Sequence, residues 1–280
     1  MIQDIHPAKL KNEYINLHPD KRSKALYFKD EKVYLSYDDE KKELFFPNCD
    51  CFDENTQFTY LFVIEDLKFF LVRETKYLPE GYLFYSMKEV RRIDLLSNRE
   101  IFAVFSAYHL WKWYQTSFFC GSCGTRTLHD TTERALVCPV CDNRIYPRIN
   151  PAVIVGVING NRLLITRYRA GYKNNALVAG FTEFGETLEE TVEREVFEET
   201  GLKVKNIRYY KSQPWGIAQD ILAGFFCDVD GEDTIHMDES ELKYAEWIER
   251  EYIELQPTDY SLTNEMMKIF KMGKEPVNIL

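Results

Sequence analysis

Residues 180–202 read GFTEFGETLEETVEREVFEETGL, and most of the acid that a metal centre would need is gathered in this one stretch. Thr187 and Glu190 have the spacing of a capping box, in which each side chain satisfies a backbone N–H at a helix start, so a helix is predicted to begin near Thr187. Leu188, Val192 and Val196 lie four apart and form one apolar stripe; Gly201 falls where a left-handed cap ends a helix. Glu195, Glu198 and Glu199 then stand at i, i+3 and i+4, with their carboxylates on one face. Like charges at that spacing repel, and a divalent cation removes the repulsion. Hard oxygen donors suit magnesium or manganese, which keep several waters and share their sites with substrate phosphates. An acidic run taken alone reads most simply as a solvated helix face, but here the full spacing is more specific.

Written out, it is G-x5-E-x7-R-E-U-x-E-E-x-G-U with U aliphatic, carried by Gly180, Glu186, Arg194, Glu195, Val196, Glu198, Glu199, Gly201 and Leu202. The stretch resembles the Nudix box, the signature of hydrolases acting on a nucleoside diphosphate linked to another group. The resemblance implies an α/β fold, a loop–helix–loop on an α/β/α sandwich with a mixed sheet, and catalytic metals at Glu195, Glu198 and Glu199. Arg194 would pair with an acid, Glu186, and orient the loop.

The chain has 280 residues, enough for more than one domain, and its 45% hydrophobic and 15% aromatic content supports real cores. The formal net charge of −10 and the lack of any Lys/Arg block argue against a broad electrostatic footprint on nucleic acid, although a capped RNA end remains open as a substrate through its cap. No signal-peptide core and no membrane-length apolar run is present, so a cytoplasmic protein is expected. Of seven cysteines, four form two CxxC pairs, which in a reducing compartment points to metal rather than disulfides.

Residues 24–87 carry a run of aromatic and β-branched segments that read as strands, with charged turns at 38–42 and 65–68. A helix is predicted from Ser97 to Phe119, opened by a second capping box with Glu100 and buried along Ile101, Val104, Phe105, Tyr108 and Trp111. Cys49 and Cys51 read as ordinary thiols, and His129 as an exposed loop histidine. Cys120, Cys123, Cys138 and Cys141 have C-x2-C-x14-C-x2-C spacing, a Cys₄ zinc ribbon whose four thiolates leave no open position; its zinc, one per chain, should be structural. Beyond it, AVIVGVI and NRLLITRY form a strand pair; NIRYYKSQPW and ILAGFFCDV are two further strands, with 212–219 as their connection. Residues 240–251 are polar around one aromatic anchor, and 261–272 close as a helix on Leu262, Met266, Ile269 and Phe270. The layout is an N-terminal α+β domain over 1–115, a zinc ribbon over 116–147 and a Nudix domain over 148–280.

A zinc ribbon ahead of a Nudix box, with SQPW after it, resembles the bacterial NADH pyrophosphatase branch, also described as hydrolases of NAD-capped RNA. That resemblance implies cleavage of NAD or NADH to nicotinamide mononucleotide and AMP. It places the magnesium or manganese ligands on Glu195, Glu199, Glu241 and the Ala179 carbonyl, with Glu198, or failing it Glu241, as base. Substrate contacts would come from Glu133, Tyr146, Phe181 and the loop Gln213, Pro214, Trp215, Gly216, Ile217, Ala218, Gln219 and Asp220. A homodimer is implied as well. One departure stands out: the branch continues SQPW with Pro-Phe-Pro, any residue, then Ser, whereas this chain has Gly216, Ile217, Ala218, Gln219 and Asp220. Losing two ring-locked φ angles predicts a less pre-organised loop and, with the added acid, a broader choice of dinucleotides or ADP-ribose.

Overall fold

A computed structural model describes residues 1–170 and 174–277. It resolves into two compact units, one of residues Ile2–Arg148 with Trp215–Gln219, the other of Met1, Ile149–Pro214 and Asp220 onward.

In the first unit the aromatic segments form β1 (Leu10–Lys11), β2 (Lys24–Lys29), β3 (Lys32–Asp38), β4 (Glu43–Phe45), β5 (Gln57–Ile64), β6 (Leu67–Glu74) and β7 (Leu83–Ser86), in the order β1-β5-β6-β2-β3-β4 with β7 against β3. Cys49 is buried among Ala25, Tyr60, Phe70 and Val72, and burial pushes its thiol up to about 12, an inert structural cysteine. Helix α1 (Met87–Val90) opens on a Ser86/Glu89 capping box that the sequence reading passed over. Helix α2 (Asn98–Thr116) follows, capped by Ser97. Its anticipated second capping box is not formed: Ser97 Oγ accepts from Arg99 N, while Glu100 is taken by the Arg99 guanidinium at 2.7 Å. Nor is α2 buried along a single stripe. Phe102, Ala103, Ala107 and Trp113 are buried too, because the sheet covers one side and the strap Trp215–Gln219 lies on another. The ribbon completes this unit with β8 (Leu128–His129), β9 (Leu136–Val137) and β10 (Arg144–Ile145).

In the second unit β11 (Asn150–Asn159), β12 (Arg162–Tyr168), β13 (Val178–Phe181), β14 (Val204–Trp215), β15 (Asp220–Val229) and β16 (Leu242–Glu249) build one mixed sheet. β11 runs parallel to β15 and antiparallel to β12 and β13. β14 continues to Trp215, so the connection to β15 is only 216–219, shorter than the expected 212–219; the polar stretch at 240–251 proves to contain an edge strand, β16, paired with β12. Alternation along β11 explains why it reads as a continuous apolar run. Val153, Val155 and Val157 face helix α3 (Leu188–Thr200), with Val192 and Val196, while Ile154 and Ile158 face helix α4 (Leu262–Lys271), with Leu262 and Met266. One helix on each face of a mixed sheet gives the α/β/α sandwich.

Candidate functional site

The four ribbon cysteines bring their sulfurs within 4.8 Å of one another, with closest approaches of 3.4–3.6 Å. Tetrahedral zinc with bonds of about 2.3 Å sets sulfurs about 3.8 Å apart, so the quartet fits that ion. Each knuckle closes through its backbone: Gly124 N donates to Cys120 O and Asp142 N to Cys138 O. Both closing residues have positive φ, +72° at Gly124 and +56° at Asp142. Backbone N–H groups of Ser122 and Cys123 hold the Cys120 thiol down at about 6, ready to bind as thiolate.

Helix α3 starts and stops as its sequence dictates. Thr187 and Glu190 make the reciprocal capping box, and Gly201 ends the helix at φ +70°. Arg194 then ties the preceding loop to the helix. Its Nε and Nη2 grip the Glu186 carboxylate at 2.5 and 3.0 Å, Nη2 reaches the Phe181 carbonyl at 2.9 Å, and Nη1 reaches Glu195 at 2.8 Å and Glu198 at 3.0 Å. The guanidinium holds Glu186 down at about 2.

Glu241 lies close enough to Glu195 and Glu199 for its charge to act on both. For Glu199 burial is the larger cause, and together with the charges of Glu195 and Glu241 it lifts the carboxyl to about 8. Glu195 is likewise raised, by burial against the pull of Arg194. Glu199 Oε1 accepts from the Tyr168 hydroxyl at 2.9 Å, whereas Oε2 is buried with no hydrogen-bond partner. A buried carboxylate oxygen without a donor is costly, and a hard cation would satisfy it. Gly180 supplies a second sign of fit: a Cβ there would sit 1.9 Å from the Glu195 carboxyl carbon, so the side-chain space of residue 180 belongs to Glu195. The Ala179 carbonyl lies 3.4 Å from the Tyr168 hydroxyl, and Ala179 N donates to that hydroxyl at 3.0 Å. Among the described residues the acids are not drawn within 4.8 Å as the cysteines are; Glu198 instead faces Arg194.

The other expected residues divide. Phe181 is 52% exposed at the mouth of the acidic loop. Gln213 is fully buried, its amide donating to Tyr260 O and accepting from Leu262 N, so its side chain anchors the start of α4. Asp220 is buried beside Asn150 and lifted to about 6 by that burial. Pro214 and Ala218 are exposed and Ile217 half-buried. In the first unit, the Tyr146 hydroxyl donates to Glu133 at 3.0 Å, with Arg144 on the same carboxylate. Trp215 packs edge-on against Phe105 under the Arg91 guanidinium. The strap is tied down more firmly than the loss of two prolines suggests. A Cβ on Gly216 would meet Phe105 O at 2.0 Å, and Gln219 Nε2 donates to His109 O at 3.3 Å.

Sequence reasoning missed Tyr168. It also missed the cationic cleft of about 280 Å³ that Tyr168 lines with Arg167, Arg169, Lys243 and Tyr244. Only the RYR run at a strand end hints at it. The register of β12 against β16 shifts between Arg167 and Tyr168, and a bulge there re-aims side chains in a way that alternation does not foretell.

Among known families, the NUDIX domain matches residues 148–268 and the NADH pyrophosphatase zinc ribbon domain residues 115–146. The NAD-capped RNA hydrolase NudC of Shigella dysenteriae serotype 1 is 34% identical over 200 residues, spanning 68% of this chain and 77% of that protein. Its namesake in Escherichia fergusonii is 35% identical over 198 residues, 70% and 76% of the two chains. A Nudix hydrolase structure from Nitrosomonas europaea aligns at TM-score 0.48 and 19% identity, over 55% of this chain and 90% of that one. The ribbon is thus a zinc site and the acidic helix a Nudix helix, and the chain belongs to the Nudix hydrolase superfamily, in the NADH pyrophosphatase branch that carries a zinc ribbon.

Proposed function

We propose that this chain hydrolyses the pyrophosphate bond of NAD(H), giving AMP and nicotinamide mononucleotide, and removes NAD caps from RNA 5′ ends. The observation that carries it is the buried Glu199 oxygen without a donor, set among Glu195 and Glu241 beside a cationic cleft, in a chain whose relatives are named as NAD-capped RNA hydrolases. Glu195, Glu199, Glu241 and the Ala179 carbonyl hold the magnesium or manganese. When bound, such a cation neutralises phosphate oxygens and makes water more acidic. Arg167, Arg169 and Lys243 supply charge for the pyrophosphate, and the exposed Phe181 ring a flat partner for a base. Glu198, more than half exposed and oriented by Arg194, accepts the proton as water attacks phosphorus. Glu241 is the second candidate for that role. Glu133, Tyr146 and the strap residues are further substrate contacts by the family resemblance, and the protein acts as a cytoplasmic homodimer. The names of the relatives favour NAD over the broader dinucleotide use that the altered strap suggested.

The test is AMP release from NADH, NAD, NAD-capped RNA and ADP-ribose with magnesium or manganese. Glu199→Gln should lower turnover at least about 100-fold, the cost of losing a metal-site group, with far-UV circular dichroism unchanged. Near-normal AMP release by that variant would reject the ligand assignment.

A further inference from the structure

The N-terminal unit encloses a cavity of about 530 Å³ between the β5–β6 sheet, helix α2 and ribbon strand β8. Its lining combines aromatic and aliphatic side chains with two guanidiniums. Trp111 and Tyr114 come from α2, and the His129 ring stacks on Tyr114 at 4.9 Å and 24°. The His129 residue stays exposed, on β8 rather than in a loop, but desolvation of its ring against Tyr114 and the charge of Arg73 hold its pKa below the ordinary imidazole value, so it adds no charge at neutral pH. Phe118 and Leu128 are 42% and 57% exposed at the rim, an apolar edge left open to water.

The cations are Arg73 and Arg126. Phe58 pairs with Val72 and Gln57 with Glu74, so Arg73 is the extra residue of a β-bulge, the device that turns a side chain off its regular course. Its guanidinium reaches Gln57 Oε1 at 3.1 Å and His129 Nε2 at 3.4 Å. Arg126 lies 5.9 Å over the Phe118 ring. Neither arginine has a carboxylate partner among the described residues, and Glu74 is the one acid in the lining. In a chain of net charge −10, two guanidiniums in one lining with several aromatic rings are matched to a ligand with a flat ring at one end and an anion at the other. The volume falls within the range of small-ligand pockets.

We propose that this cavity is a second ligand site, separate from the acidic helix, and that it takes a 5′-mononucleotide, with the phosphate on Arg73 and Arg126 and the base on the Tyr114–His129 stack. The choice of a mononucleotide over another aromatic anion rests on the proposed function, whose two products are mononucleotides.

Equilibrium dialysis of the full-length, zinc-loaded protein without added magnesium or manganese tests it, using AMP, nicotinamide mononucleotide, adenosine and inorganic phosphate as separate probes. Saturable binding of a mononucleotide is expected, at least tenfold tighter than adenosine or phosphate alone. It should persist in Glu199→Gln and weaken at least tenfold in Arg73→Gln/Arg126→Gln, while that double variant hydrolyses NADH within twofold of the parent. Should the double variant fold poorly, Arg126→Gln alone, which gives up only a ring contact, should still weaken binding at least threefold. Photolabelling with 8-azido-AMP should mark the peptides holding Trp111–Phe118 or Arg126–Leu136. Labelling confined to residues 149–280, binding indifferent to the arginine changes, or no saturable binding by a preparation that hydrolyses NADH, each overturns the site. A protein that binds AMP at Arg73 yet releases none from any dinucleotide would instead overturn the hydrolase reading and leave this site standing.

Discussion

Gly180 is glycine because a carboxylate occupies the place its side chain would fill. Replacing it by alanine sets a Cβ 1.9 Å from the Glu195 carboxyl carbon, and Glu195, as the free end of a flexible side chain, can swing aside. If Glu195 serves as the metal ligand proposed above, Gly180→Ala should lose at least about tenfold in kcat through its displacement, with a stability cost of only about 1 kcal/mol, read by steady-state kinetics and urea unfolding in parallel. Asp220 offers a pH-dependent counterpart. Burial raises its carboxyl from 3.8 to about 6 in the folded chain. Between those values the native state holds the proton more tightly than the unfolded state, so stability falls as pH rises and levels off above about pH 6. The loss is at most about 3 kcal/mol, from about 1.4 kcal/mol per pKa unit. Asp220→Asn should thus be the more stable protein at pH 8 and match the parent near pH 4; equal unfolding midpoints at both pH values would contradict the assignment.

At the scale of elements, α3 is set by local chemistry and the strap by what it lies against. The α3 capping box, apolar stripe and left-handed glycine are all satisfied within the helix and its own sheet face. Gly216 is different, since its Cβ would strike a backbone oxygen, Phe105 O at 2.0 Å, which cannot move aside as a side chain can. Gly216→Ala should lift the strap from α2 and cost about 1–3 kcal/mol, as overpacking does, with a blue-to-red shift of Trp215 fluorescence as its ring leaves Phe105. An alanine variant with unchanged midpoint and emission would show that the strap carries no such constraint.

On the scale of the molecule, the ribbon has little apolar core of its own, its buried hydrophobics being Cys120, Ala135, Leu136 and Cys138. Its strands are two residues each, and the cysteine quartet supplies what a larger apolar interior would. Structural zinc contributes about 10–16 kcal/mol of apparent binding energy that is also folding energy. Stripping one zinc per chain with a strong chelator should lower Tm by about 10 °C or more, and readdition of zinc should restore it. No helix among the described residues is long and apolar enough to cross a membrane.

The sequence by itself determined α3, its caps and its three glutamates and the zinc quartet, because each follows from spacing along one segment. The resemblance to the Nudix box, carried by that same spacing, implied the mixed sheet and the pairing of Arg194 with Glu186, eight residues apart on one loop and helix. Tertiary structure alone decided the rest. Tyr168 meets Glu199 only through the folded sheet, Arg73 turns into its cavity only because β5 and β6 slip register, and Gly216 is needed only because α2 passes beneath it. Such contacts join residues distant in sequence, where no local period records the partner; a motif is legible when its geometry closes within a few turns of chain, and illegible when a second element supplies the other half.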